Sequence, residues 1–130
     1  MKKITQEWIN KAENDFKVCL KELKSDEPIW DAICFHSQQC VEKYLKAILQ
    51  ENNIYFEKTH DLGTLAQKCK NHIKISNDTL NKLEFLSEYA VEIRYPGIES
   101  SNEEAEKSFE ICNELRKIIR NYFKLETNEK

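Results

Sequence analysis

Apolar residues return every three or four positions along most of this chain, the spacing of amphipathic helices rather than strands. Trp8, Ala12, Cys19 and Leu23, widened by Phe16 and Leu20, predict a first helix over Thr5 to Lys24. The stretch Ser25-Asp26-Glu27-Pro28 punctuates the chain there. Ile33, Val41, Tyr44, Leu45 and Ile48 predict a second helix over Ile29 to Glu51, followed by a loop over Glu51 to Asp61. A short helix is expected from Leu62 to about His72, with Thr59 or Asp61 as its cap. Leu80, Leu83, Leu86, Ala90 and Ile93 predict a helix over Asn77 to Ile93, stopped by Arg94-Tyr95-Pro96-Gly97 because a residue before proline disfavours the helical region. The last helix begins near Asn102. Ser101 or Asn102 can cap it, Glu103 and Glu104 suit the positive end of its dipole, and Ala105, Phe109, Cys112, Leu115, Ile119 and Tyr122 form its stripe. The polar tail over 126–130 is expected to fray. Short connections between long helices predict an all-α fold: an up-and-down antiparallel bundle of four long helices plus a short one, in a single domain over residues 1–130.

Composition supports that picture. With 2 glycines and 2 prolines, the chain lacks the turn residues of a many-stranded sandwich or barrel. A formal net charge of −3 supplies no global positive field and argues against general DNA binding. No run approaches the roughly 20 apolar residues of a membrane span, and the N-terminus lacks the apolar stretch of a signal peptide, so no membrane association and a cytoplasmic location are expected. The five cysteines show neither a CxxC pair nor zinc-finger spacing to histidine, and they are expected as reduced core residues. Gly63 and Gly97 are the only glycines, so no phosphate-cradling loop or dinucleotide fingerprint can form. Neither a metal site nor a cofactor is expected.

Two polar features depart from an ordinary bundle. At about 100° per residue, His36, Gln39, Lys43 and Lys46 fall within roughly an 80° arc, beside the apolar arc of the second helix. Such a strip either flanks solvent or lines a groove between helices. Asp15 sits inside the apolar stripe of the first helix, where a carboxylate is costly unless paired. The second helix could supply its cation. The alternatives are a purely structural ion pair, or a helix turned far enough to leave Asp15 wet. Arg94, held at a helix end by the following Tyr95-Pro96, offers the donor fork that recognises phosphate, although the helix dipole alone also favours a basic residue there. His60, between Thr59 and Asp61, is either functional or incidental to a cap. Together these groups suit an anionic ligand such as a nucleotide or an RNA phosphate.

The order of several pieces resembles the HEPN domain family. They are Trp8, Ala12 and Asp15; Phe35 to Ala47, reading FHSQQCVEKYLKA; Lys58 to Leu62, reading KTHDL; Arg94 to Pro96; and Glu104-Ala105. They span nearly the whole chain. The resemblance implies an antiparallel bundle of four or five helices, often a homodimer. It also implies nucleotide binding, and partnership with a minimal nucleotidyltransferase in toxin–antitoxin-like systems. Other members of the family are metal-independent RNases that carry Arg-x(4–6)-His. Here every histidine (His36, His60, His72) precedes every arginine (Arg94, Arg116, Arg120), so that motif does not occur. The expected site therefore joins Asp15, His36, Gln39, Lys43, Lys46, His60, Arg94 and Tyr95. Lys43, Lys46 and Arg94 would hold phosphate, Asp15 would orient a cation, and Gln39 would bond base or sugar. One alternative is an RNase toxin with non-standard catalytic residues, His36 or His60 being brought close in space to serve the acid–base steps. Another is a pure dimerisation or interaction module.

Overall fold

The computed structural model describes residues 1–91 and 96–127. Arg94 and Tyr95 of the expected site, and the tail over 128–130, lie outside the described residues. Five helices form: α1 (Lys3–Leu23), α2 (Trp30–Glu51), α3 (Leu62–Lys68), α4 (Asn77–Ser87) and α5 (Asn102–Tyr122). There is no strand among the described residues.

Local chemistry sets several helix ends. The Asp61 carboxylate accepts from Gly63 N and Thr64 N and caps α3. Ser101 and Glu104 close a reciprocal capping box at the start of α5. Two helices are shorter than their periodicity suggests. α3 stops at Lys68 rather than near His72, because Cys69, Lys70 and His72 donate to carbonyls three residues back, which tightens the chain into turns. α4 stops at Ser87 rather than Ile93, and Glu88 and Tyr89 make the same short bonds to Phe85 and Leu86. Tyr89 is thereby buried and its hydroxyl donates to Glu104. At the other end of the chain, the carbonyl of Glu126 accepts from Arg120 Nε and that of Thr127 from Arg116 Nη1, so the first two residues of the polar tail are held against α5.

Cross-helix pairs fix the directions. Thr5 meets Glu51 while Cys19 meets Ile33, so α1 and α2 are antiparallel. Lys82 meets Glu114 while Tyr89 meets Glu104, so α4 and α5 are antiparallel too. Asp31 meets Ser100 and Asn52 meets Tyr122, so α5 runs with α2. The bundle is up-and-down, as expected. α2 touches all four other helices and is its centre. Ile33, Val41, Tyr44, Leu45, Ile48 and Leu49 are buried on it, against Ile9 and Phe16 of α1, Leu65 of α3, Leu83 and Leu86 of α4 and Leu115 and Ile119 of α5.

All five cysteines are buried and unpaired. Burial pushes the Cys19 and Cys69 thiols up to about 12, which suits inert core residues rather than nucleophiles. No helix among the described residues is long and apolar enough to cross a membrane.

A central helix should be apolar nearly all round. α2 nonetheless buries Gln38, Glu42 and Lys46, at 0%, 3% and 6% exposure. Those side chains need partners.

Candidate functional site

The stripe that carries Trp8, Ala12 and Cys19 turns Asp15 toward α2, leaving it 6% exposed. Seven residues, two helical turns, separate His36 from Lys43, and both reach the same carboxylate. His36 Nδ1 stands 2.7 Å from Asp15 Oδ1, and Lys43 Nζ donates to Oδ2 at 2.7 Å. The helix-two strip does supply the cation that Asp15 requires. His36 and Lys43 keep 20% and 22% of their side chains exposed, so this cluster reaches the surface.

Lys46 does not join it. Its ammonium donates to Glu42 Oε2 at 2.8 Å, one helical turn back, and stands 5.5 Å from the ring of Trp8 and 5.9 Å from that of Phe56. His60, carried on the loop before α3, places Nδ1 2.9 Å from Glu42 Oε1. Gln38 Nε2 donates to the same oxygen at 3.1 Å and to the His60 carbonyl at 3.2 Å. Gln39 Nε2 donates to Gln38 Oε1 at 2.8 Å and so abuts this second cluster. Burial works against the charge on Glu42, but the bonds from Lys46, His60 and Gln38 outweigh it and hold the carboxyl below the usual glutamate range.

The expected single groove is therefore two centres, each a buried carboxylate with one lysine and one imidazole. The physical reason is the buried Glu42, which captures both Lys46 and His60. With its ring neutral, each set of three sums to zero charge, and protonation of the ring makes it positive. Each imidazole is held at Nδ1 by its carboxylate, which fixes the orientation of the ring. Gln38 and Glu42 were not among the expected site residues. The i, i+4 succession Gln38, Glu42, Lys46 is visible in the sequence but reads there as a solvated helix face.

A third polar network was also unforeseen. Glu13, two residues before Asp15, receives a two-pronged bond from Arg116 of α5, Nε at 2.7 Å and Nη2 at 2.9 Å. The Tyr44 hydroxyl donates to the same carboxylate, and Arg120 Nη1 donates to Tyr44 Oη at 3.0 Å.

An open cleft of about 700 Å³ lies between α3 and α4, lined by Asp61, Thr64, Gln67, Asn81 and Glu84. Of the expected site residues that the structure describes, His60 alone borders it. Among the described residues no group of three or more His, Cys, Asp or Glu side chains could hold a metal ion.

Known proteins place this architecture. A Methanocaldococcus jannaschii protein named "Putative toxin MJ1304" is 28% identical over 134 residues, covering 90% of this chain and 86% of its own length. The crystal structure of TT1696 from Thermus thermophilus superposes with a TM-score of 0.75 at 17% identity, covering 91% of this chain and 97% of that one. The structure of ST0689, an archaeal HEPN homologue, superposes with a TM-score of 0.72 at 22% identity, covering 93% and 98%. At these identities the two structures establish the shared fold. Residues 5–122 match the model of the HEPN domain, and the chain belongs to that family.

Proposed function

We propose that this chain is a toxin-like HEPN protein that binds the phosphate of a nucleotide or RNA along the polar side of α2, in concert with a minimal nucleotidyltransferase partner. The carrying observation is the pair of buried carboxylates, Asp15 at the α1–α2 seam and Glu42 between α2 and the loop before α3, each holding one lysine and one histidine. Replacing a buried ion pair by apolar residues is often neutral or stabilising, so two such centres on a central helix favour a role beyond holding the fold. An ammonium has three donors; Asp15 uses one on Lys43 and Glu42 one on Lys46. Lys43, the more exposed of the two lysines, is the phosphate contact, with Lys46 behind it. Gln39 bonds base or sugar, and Asp15 and Glu42 orient the cations. The family resemblance adds Arg94 and Tyr95, the nucleotidyltransferase partner and a homodimer. The name given to the Methanocaldococcus relative supports the toxin-like role. Calorimetric titration with ATP, other nucleotides and short RNA tests the reading. Saturable binding weakened by Lys43→Ala is expected; no binding, or binding indifferent to Lys43→Ala combined with Arg94→Ala, overturns it.

A second reading rests on one observation: both imidazoles are held at Nδ1 by a carboxylate. That arrangement fixes ring and tautomer for proton transfer, which metal-free RNA cleavage needs twice, as base for the 2′-hydroxyl and acid for the leaving oxygen. Purified protein with RNA in EDTA discriminates the two. Cleavage abolished by His36→Ala or His60→Ala favours a metal-independent RNase; intact RNA removes that reading.

A further inference from the structure

A groove of about 340 Å³ lies where α1 meets the end of α5, lined by Gln6, Asn10, Asn14 and Lys17 of α1 with Glu13, Arg120 and Leu125. At about 100° per residue, Gln6, Asn10, Glu13 and Lys17 fall within roughly 60° of one another, on the side of α1 opposite Asp15. This groove is thus separate from the polar side of α2.

Its base is braced. Arg120 Nη1 donates to the buried Tyr44 hydroxyl and stands 3.7 Å from Glu13 Oε2, and its Nε donates to the Glu126 carbonyl, so the guanidinium is held while its Nη2 makes no hydrogen bond among the described residues. Glu13, the one carboxylate among the described lining residues, is already taken by Arg116 and Tyr44. Lys17 has no carboxylate partner and the Asn14 amide no hydrogen bond among the described residues, and Asn10 spends only its carbonyl oxygen, on Gln6 at 2.9 Å. Donors therefore outnumber acceptors. Two cations line the groove, Arg120 and Lys17, against one carboxylate already paired with Arg116, on a chain whose net charge is −3. A planar guanidinium fork, an ammonium and two amide NH₂ groups match the oxygens of a tetrahedral anion.

We propose that the α1–α5 groove is a second anion site that takes a phosphoryl group, either free phosphate or a nucleoside monophosphate. Arg120 supplies the fixed charge, Lys17 the mobile one, and Asn10 and Asn14 the rim donors. The volume admits a phosphate with its sugar.

The test follows the side-chain amide signals of Asn10 and Asn14 by NMR in the full ¹⁵N-labelled chain, titrated with inorganic phosphate, AMP and adenosine. Saturable shifts with phosphate, AMP or both, and none with adenosine, are expected; which of the two responds identifies the source. Lys17→Ala, at an exposed position, should weaken the response roughly fivefold and Lys17→Glu should abolish it. Lys17→Arg and Lys43→Ala should keep it. Absent shifts, adenosine binding as well as AMP, a response that survives Lys17→Glu, or one lost in Lys43→Ala instead, each overturn the assignment.

Discussion

Glu13 and Asp15 stand two residues apart on α1 and face opposite duties. Glu13 looks toward α5, where Arg116 grips it with two parallel bonds and Tyr44 adds a third. Arg116 is 4% exposed and its guanidinium carbon lies 4.1 Å from the ring centroid of Phe16. That cluster ties α1, α2 and α5 together. Asp15 looks toward α2 alone and is met by a flexible ammonium and an imidazole, both about one-fifth exposed. A planar fork on a carboxylate gives fixed geometry. A lysine and a histidine give donors that can move and a proton that can leave. The difference separates a structural tie from a chemical site on one helix.

The largest effect that could break this contrast is on stability. Arg116→Ala leaves the Glu13 carboxylate partly buried without its main partner, and should cost about 3–5 kcal/mol in denaturant unfolding. Asp15→Asn should cost less, about 1–3 kcal/mol, because Lys43 and His36 can turn toward water. The order should reverse for ligand or RNA readouts, with Asp15→Asn impairing them more than Arg116→Ala at a temperature where both variants are folded. Equal stability losses would make Asp15 a second tie, and the contrast would fail.

This contrast was half legible in the sequence. Asp15 stood out because it interrupts an apolar stripe, and the strip on the second helix was expected to supply its cation, without telling Lys43 from Lys46. Glu42 did not, since a glutamate before a lysine on a helix reads as a solvated face; only its burial, with His60 of the following loop against it, turns it into a centre. Glu13 and Arg116 carry no local signal at all, being 103 residues apart. The helices themselves followed from periodicity; the caps Asp61 and Ser101 were each one of two candidates, and the Ser76 cap of α4 was not expected. What periodicity missed was where α3 and α4 stop, because Cys69 to His72 and Glu88 to Tyr89 keep helical apolar spacing while their bonds tighten into turns. Tertiary demand, the burial of Tyr89 and its reach to Glu104, decides that end.

The smallest expected effect is a slope. Burial raises the Glu13 carboxyl, but Arg116 and Tyr44, with Arg120 behind them, outweigh it and hold it below its ordinary 4.5. Glu42 is depressed in the same sense by Lys46, His60 and Gln38, against its burial. A carboxyl whose folded pKa lies under its unfolded one contributes stability that is full above about 4.5 and is lost as pH falls through the folded value, because the unfolded chain binds the proton first. Unfolding free energy measured downward from pH 5 should therefore decline. Glu13→Gln and Glu42→Gln should each flatten that decline while lowering the plateau at neutral pH. Each slope reflects a single carboxyl, and Glu13 keeps 22% of its side chain in water, so the change is modest beside either substitution above. The comparison sharpens on which variant alters more than the slope. Flattening by Glu13→Gln with ligand binding intact fits a tie, and flattening by Glu42→Gln with binding lost fits a site. If instead the acid decline persists unchanged in both variants, the bonds to these carboxylates do not outweigh their burial, and neither the tie at Glu13 nor the centre at Glu42 stabilises the charge as the geometry implies.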